Sequence, residues 1–265
     1  MKKVLLAILL PFLMVGCNKE PEPETKVSLN VYAAASLTES MNAIIEKCKT
    51  AMPNVEIKAN YGSSGALLTQ IQNGADADLF LSAAQKQMNT LDTAGFLLEN
   101  SRINLLENQV ALVVPTANPY HIEGFTDLVS VLQNPPEGFL LGLGGEGVPV
   151  GQYSSQILTH YGINEKELAD SSHIAYGSDV KAVTSYVTNG TVAAGLIYKT
   201  DAYSANLTVK DVATSDMCDQ VIYPAAVLKN SAHTSEASAL LNYLRTAPAM
   251  AEFEKVGFKG LNKLA

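Results

Sequence analysis

Four short segments of small and polar residues lie where a predicted strand passes into a predicted helix, at Ser36, Ser64, Val150 and Val180. The first N–H groups of a helix have no acceptor within the helix and carry a partial positive charge, so they can bind an anion without a charged side chain. Ser36 with Glu39 three residues later has the pattern of a capping box, which predicts that Ser36 caps its helix. One such segment alone more often only caps a helix, whereas several around one cleft favour an anion site.

Sequence patterns typical of enzymes and metal sites are not found. The segment 62–65 has serines between glycines, but position 66 is alanine, so the G-x-S-x-G nucleophile elbow is not formed. The four histidines lack the spacing of a metal site or a catalytic triad, and the glycine-rich segment 142–145 lacks the spacing of a nucleotide-binding loop. We therefore expect that the protein is not an enzyme, that its side chains do not bind a metal ion directly and that it has no cofactor.

Predicted strands and helices alternate along most of the chain. Strands are predicted at 27–33, 55–61, 78–82, 110–115, 139–142, 173–176, 192–198 and 221–228, and helices at 36–49, 66–73, 85–94, 150–161, 180–188 and, as two helices, within 236–253. This alternation predicts an α/β fold with mostly parallel sheets and helices on both faces. Two such runs predict two lobes, with 27–109 as the first part of lobe 1, 110–220 as lobe 2, and 221–265 as the return to lobe 1.

The N-terminal segment has the pattern of an export signal. A basic start and a short apolar run precede Gly16 and Cys17, which predicts a signal peptide over 1–16. The residues before Cys17 resemble a bacterial lipobox, in which the cysteine is lipidated and becomes the first mature residue. Residues 17–26 are rich in proline and charge, so we expect a flexible tether between a membrane and the folded part.

The overall charge limits the classes of partner. The chain has a formal net charge of -8, which argues against nucleic acid as a partner. An anion site in this protein must therefore be built from local dipoles. Of the three cysteines, Cys48 and Cys218 remain in the mature part, and an exported protein can hold them either as a disulfide or as two free thiols.

At these residues the chain resembles the molybdate-binding proteins of bacterial ABC transporters, in the type II periplasmic-binding-protein group. The resemblance covers the chain from Val31 to Phe258 and rests on the order and spacing of several short motifs, namely VYAAASL at 31–37, YGSS at 61–64, ADLFLSA at 77–83, VPVG at 148–151, DV at 179–180, GLIY at 195–198 with DA at 201–202, and YP at 223–224. It implies two lobes, each a mostly parallel sheet flanked by helices, with the ligand in the cleft between the lobes.

The resemblance also implies a ligand and its donors. Molybdate or tungstate would be held by the hydroxyls and N–H groups of Ser36 and Ser64, the N–H groups of Val150 and Val180, and the hydroxyl of Tyr198. The implied partner is an ABC transporter permease, and we expect a monomer at the outer face of a membrane or in the periplasm.

Two alternatives remain open at this point. Another anion, such as sulfate, phosphate or a small organic acid, could occupy the same site, and phosphate would require a proton acceptor, for which Asp179 is the candidate. The other alternative is an enzyme on the same two-lobe scaffold, because a fold alone does not determine a function.

Overall fold

The computed structural model describes residues 26–264, which form two β-sheets flanked by helices. The strands are β1 (Val27–Ala34), β2 (Val55–Gly62), β3 (Leu79–Leu81), β4 (Ile103–Asn108), β5 (Val110–Val113), β6 (Leu141–Gly144), β7 (Ile174–Gly177), β8 (Ala194–Tyr198), β9 (Val209–Val212), β10 (Val221–Val227) and β11 (Lys259–Gly260). The predicted signal peptide, the lipidation at Cys17 and most of the predicted tether lie outside the described residues.

The helices begin with α1 (Thr38–Ala51), which a 3-10 turn at Ala35–Leu37 precedes. The others are α2 (Ser64–Gln72), α3 (Gln85–Thr93), α4 (Phe125–Gln133), α5 (Pro149–His160), α6 (Glu165–Asp170), α7 (Val180–Thr188), α8 (Lys199–Ser204), α9 (Thr234–Leu244) and α10 (Ala247–Lys255). Among residues 26–264, no helix is long and apolar enough to cross a membrane.

The first sheet has the strand order β11-β4-β10-β3-β1-β2, and the second has the order β7-β6-β8-β5-β9. Within the first sheet, β1 pairs in parallel with β2 and β3, while β10 pairs antiparallel with β3 and β4. Within the second, β6 pairs in parallel with β7 and β8, while β5 pairs antiparallel with β8 and β9. Most strands of each sheet thus run in one direction, as expected, and antiparallel strands lie among them.

The antiparallel strands β5 and β10 are the strands at which the chain arrives from the other sheet. Only Gln109 separates β4 in the first sheet from β5 in the second, and residues 213–220 lead from β9 back to β10 in the first sheet. We call the first sheet with its helices lobe 1 and the second sheet with its helices lobe 2, and we keep 110 and 221 as the proposed boundaries.

The short helix α4 lies in a stretch rich in proline and glycine, for which no helix is predicted from the sequence. Phe125, Leu128 and Leu132 are buried on one face of this helix, so packing against the second sheet outweighs the local composition. The first N–H group of this helix also has an acceptor outside the helix, because the Phe125 N–H donates to Asp211 Oδ2 at 3.1 Å.

The two mature cysteines are both free thiols in the structure. Cys48 is buried on α1, and Cys218 is half-buried before β10. Burial raises the pKa of each thiol to about 11, with Asp219 adding to the effect at Cys218. Both groups therefore stay protonated and poorly reactive at neutral pH.

Candidate functional site in the cleft between the lobes

A small cleft lies between the lobes, at the carboxyl ends of β1, β2, β6, β7 and β8. Its empty volume, including its opening to solvent, is about 200 Å³. The lining residues are Ala34, Ala35, Ser36, Gly62, Ser63, Ser64, Ala83, Val148, Pro149, Val150, Asp179, Val180 and Tyr198. All five residues predicted from the sequence are among them. The enclosed part of the cleft is much smaller than this empty volume, so the cleft suits a ligand of only a few atoms.

Ser36 does not cap α1 as the sequence predicts. It lies in the 3-10 turn before the helix, Leu37 occupies the cap position, and no side chain caps the helix. The Ser36 hydroxyl instead makes a buried hydrogen bond to the Tyr223 hydroxyl, 2.8 Å away. The capping-box prediction is wrong because a partner from another strand is available to this hydroxyl. The nearby Thr38 hydroxyl does not replace it as a cap, since it donates to the Ala35 carbonyl at 2.6 Å.

The two neighbouring serines before α2 have separate roles. Ser63 is the cap residue, and its hydroxyl accepts the Ala66 N–H at 3.3 Å. Ser64 is fully buried, and its hydroxyl accepts the Ala83 N–H at 2.9 Å. Because a backbone N–H can only donate, the proton of the Ser64 hydroxyl is left for another acceptor. The structure therefore favours Ser64 as the inward donor of the pair.

On the lobe 2 side, the cleft is lined by the first turns of α5 and α7. Val150 is the second residue of α5, Val180 is the first residue of α7, and N–H groups in such positions have no acceptor within the helix. A Cβ on Gly151 would come within 2.2 Å of the Gly144 carbonyl oxygen, so glycine at this position lets α5 begin close against β6. The helix predicted over 150–161 is present, and both of its ends lie one residue earlier, at Pro149 and His160.

Tyr198 lines the cleft from the carboxyl end of β8. Its side chain is 1 % exposed, and its hydroxyl makes no hydrogen bond of good geometry within residues 26–264, although the Tyr223 hydroxyl is close enough to interact with it. The ring is held edge-to-face between Tyr153, at 6.5 Å between centroids, and Tyr223, at 5.8 Å. Burial raises the pKa of Tyr198 well above its ordinary value, and Tyr223 adds to this, so the hydroxyl keeps its proton. A buried hydroxyl without a partner is costly, and a ligand acceptor would satisfy it.

The charged residues at the cleft are already paired or capping. Asp179 caps α7 by accepting the Ala182 N–H at 2.9 Å, which makes it a poor acceptor for a ligand proton. Lys181 on α7 lies 2.7 Å from Glu39 of lobe 1 and 2.9 Å from the buried Asp201. Burial alone would lower the pKa of Lys181, but the two carboxylates raise it above its ordinary value. Lys181 is not among the residues that line the cleft, and this lining contains no lysine or arginine.

The lobes touch through backbone at the edge of the cleft. The Gly65 N–H in the first turn of α2 donates to the Gly147 carbonyl of lobe 2 at 3.1 Å. A Cβ on Gly65 would come within 2.3 Å of that oxygen. The sequence identifies neither this contact nor the Tyr223 partner of Ser36, because both depend on residues far apart in the chain.

Comparison with known proteins identifies the family. Residues 29–259 match the family of bacterial extracellular solute-binding proteins. The chain belongs to this family. The chain is 36 % identical over 260 residues to YvgL of Bacillus subtilis, which is named as an ABC transporter substrate-binding lipoprotein, covering 96 % of each chain. It is 33 % identical over 242 residues to the molybdate-binding protein ModA of Escherichia coli, covering 87 % of this chain and 88 % of ModA.

Solved structures show the same fold. The periplasmic molybdate-binding protein of Azotobacter vinelandii superposes with a TM-score of 0.76 at 19 % identity, covering 87 % of this chain and 98 % of that chain. The solute-binding protein described here thus has a two-lobe periplasmic-binding-protein fold. It is the solute-binding component of an ABC transporter and is homologous to ModA. Its relatives are solute-binding proteins rather than enzymes. Within residues 26–264, no group of three or more His, Cys, Asp or Glu is placed to hold a metal ion.

Proposed function

We propose that this solute-binding protein captures molybdate, or its close analogue tungstate, in the cleft between its lobes. The observation that carries the proposal is the buried hydroxyl of Tyr198, which makes no hydrogen bond of good geometry within residues 26–264 and lies in a cleft lined by the starts of three helices and a 3-10 turn. These features supply donors and no cation. The relationship to ModA, which is named for molybdate, supports the same ligand.

The donor set suits a fully ionised anion. The hydroxyls and N–H groups of Ser36 and Ser64, the N–H groups of Val150 and Val180, and the Tyr198 hydroxyl make about seven donors. Burying a dianion without partners would be prohibitive, and charge-assisted hydrogen bonds to this set would replace its hydration shell. Molybdate carries no proton at neutral pH, so it requires no acceptor.

Neutral donors in fixed positions also permit selection by size. Sulfate is a tetrahedral dianion like molybdate, but its bonds to oxygen are shorter. Donors held by helix starts on two lobes reach the larger anion on all sides, whereas sulfate would leave some of them unpaired. Unpaired buried donors cost about 1–3 kcal/mol each, which favours molybdate and tungstate.

We further propose that the protein is a monomer that delivers the anion to an ABC transporter permease. Lipidation at Cys17 would hold it at the outer face of a membrane, with residues 17–26 as the tether. The movement of the two lobes around the crossings at 109 and 213–220 would present a closed shape to the permease only when the anion is bound.

Calorimetric titration of the purified protein with molybdate, tungstate, sulfate and phosphate tests the ligand. We expect tight one-to-one binding of molybdate and tungstate and at least a hundredfold weaker binding of the other two. Tight binding of sulfate or phosphate, or no binding of molybdate, would overturn the assignment.

A further inference from the structure

A buried chain of hydrogen bonds leads from the crossing between the lobes to Ser36. The Asn108 amide nitrogen donates to the Thr200 hydroxyl at 2.9 Å and to the Tyr223 hydroxyl at 3.3 Å. The Tyr223 hydroxyl is in turn 2.8 Å from the Ser36 hydroxyl. All four side chains are at most 5 % exposed, so water does not compete for these groups.

One backbone group determines which atoms of the Asn108 side chain donate and which accept in these hydrogen bonds. The Gln109 N–H donates to the Asn108 side-chain oxygen at 2.8 Å, and a backbone N–H can only donate. The amide must therefore turn its oxygen to Gln109 and its NH₂ group to Tyr223 and Thr200. With Asn108 as donor, the oxygen of Tyr223 accepts and its single proton is available for Ser36.

The orientation of the Asn108 amide affects the hydroxyl of Ser36 in the cleft. Burial raises the pKa of Tyr223 well above its ordinary value, and the nearby Asp201 adds to this, so the hydroxyl keeps the proton that it donates. Either hydroxyl could donate in the hydrogen bond between Ser36 and Tyr223. When Tyr223 donates, Ser36 accepts, and the proton of the Ser36 hydroxyl is directed to another acceptor. Ser64 is arranged in the same way by the Ala83 N–H, so both serines of lobe 1 present protons to the cleft.

We propose that Tyr223 and Asn108 are positioning residues that orient Ser36 as a hydrogen-bond donor and so select tetrahedral anions without a proton. An anion that carries a proton, such as hydrogen phosphate, needs an acceptor, which a serine oriented in this way does not readily offer. This inference deepens the proposed function and rests on it for the identity of the anion. Tyr223 is outside the cleft lining and acts through Ser36.

A double-mutant cycle tests the proposal, using the parent, Tyr223→Phe, Ser36→Ala and the double variant. Calorimetric titration should show roughly threefold to tenfold weaker molybdate binding for Tyr223→Phe, because Ser36 loses its orienting partner. In the Ser36→Ala background the same change should have little further effect, because the route through Ser36 has been removed and the Phe ring still packs against Tyr198. Tyr243→Phe, a half-buried tyrosine on α9, is the matched control and should bind as the parent does.

The preference among anions gives a second measurement. Tyr223→Phe should lower the ratio of the affinity for molybdate to the affinity for hydrogen phosphate. In that variant Ser36 is free to accept a hydrogen bond from the proton of hydrogen phosphate. A purely structural role would weaken both anions by the same factor and would act equally in the Ser36→Ala background, and either result would overturn the proposal. Unfolding curves of all four proteins show whether each variant is folded.

The choice of anion keeps the two proposals distinguishable. The cycle is run with whichever of molybdate, tungstate, sulfate and phosphate the parent binds most tightly. Sulfate in that place would refute the molybdate assignment while the cycle still tests the orientation of Ser36. A parent that binds none of the four overturns both proposals.

Discussion

Replacing Gly65 by alanine should separate ligand binding from stability. The added Cβ would lie 2.3 Å from the Gly147 carbonyl oxygen, and Cβ contacts below 3.0 Å are essentially never observed. The lobes would have to stay at least about 0.7 Å further apart at this edge, and overpacking of this kind costs about 1–3 kcal/mol. We therefore expect the affinity for molybdate to fall roughly fivefold to more than a hundredfold.

The same change should not weaken the ligand-free protein. Gly65 is in the first turn of α2, where alanine is a better helix former than glycine by about 0.5–1 kcal/mol. When the lobes move apart, the clash with Gly147 is removed and only this gain remains. The free energy of unfolding in urea should thus be unchanged or up to about 1 kcal/mol higher.

Gly62 offers a matched control in the same segment. A Cβ on Gly62 would meet only the Leu67 side chain, at an ordinary distance of 3.6 Å. Gly62→Ala should therefore bind molybdate within a factor of about two to three of the parent, with X-ray scattering showing the same compaction on binding. If Gly65→Ala binds and compacts like Gly62→Ala, then the Gly65–Gly147 contact is not part of the liganded state and our reasoning about closure is wrong.

Three further predictions address the cleft, its charges and the membrane anchor. Tyr198→Phe should bind molybdate roughly tenfold to a hundredfold more weakly in calorimetry with little loss of ligand-free stability, because the deleted hydroxyl makes no hydrogen bond of good geometry within residues 26–264; Tyr153→Phe is the control, and parental affinity in Tyr198→Phe would contradict the assigned donor. Burial raises the pKa of Asp201 from 3.8 to about 6 against the opposing effect of Lys181, so its ionised form costs on the order of 3 kcal/mol, and this cost disappears as the pH falls from about 6 towards 4. Asp201→Asn should therefore be more stable than the parent at pH 7.5 and lose this advantage by pH 4 in urea unfolding, and a difference that is independent of pH would refute the assignment. Cys17→Ser should abolish lipidation and release the protein or leave its signal uncleaved, and mass spectrometry that finds a native N-terminus at a residue other than Cys17 would contradict the anchor.

The local elements around the cleft could be predicted well from the sequence. The helix over Val180–Thr188 has the predicted bounds, and α5 begins one residue before its predicted start. Helix ends depend on the capping residues and on the spacing of apolar residues over a few positions, so a short segment of the sequence is enough to predict them. The family resemblance then pointed to Tyr198, which periodicity does not distinguish from an ordinary buried strand residue.

The short elements that the sequence did not predict depend on packing. Helix α4 lies among prolines and glycines, and its formation requires the buried contacts of Phe125 and Leu128 with the second lobe. The two-residue strand β11 forms only because it pairs with β4, far away in the chain. Elements this short are not stable alone, so the local sequence carries little signal for them.

Which residues supply neutral donors at strand ends is a property of the sequence by itself, because helix starts and serine side chains are local features. What each hydroxyl binds was decided only by the tertiary structure. Ser36 and Glu39 satisfy the pattern of a capping box, yet the hydroxyl bonds to Tyr223, which is 187 residues away in the chain. A hydroxyl takes the partner that folding brings within 3 Å, and two crossings between the lobes place Asn108 and Tyr223 behind Ser36. Local pattern therefore predicts where donors lie, while their direction depends on long-range contacts.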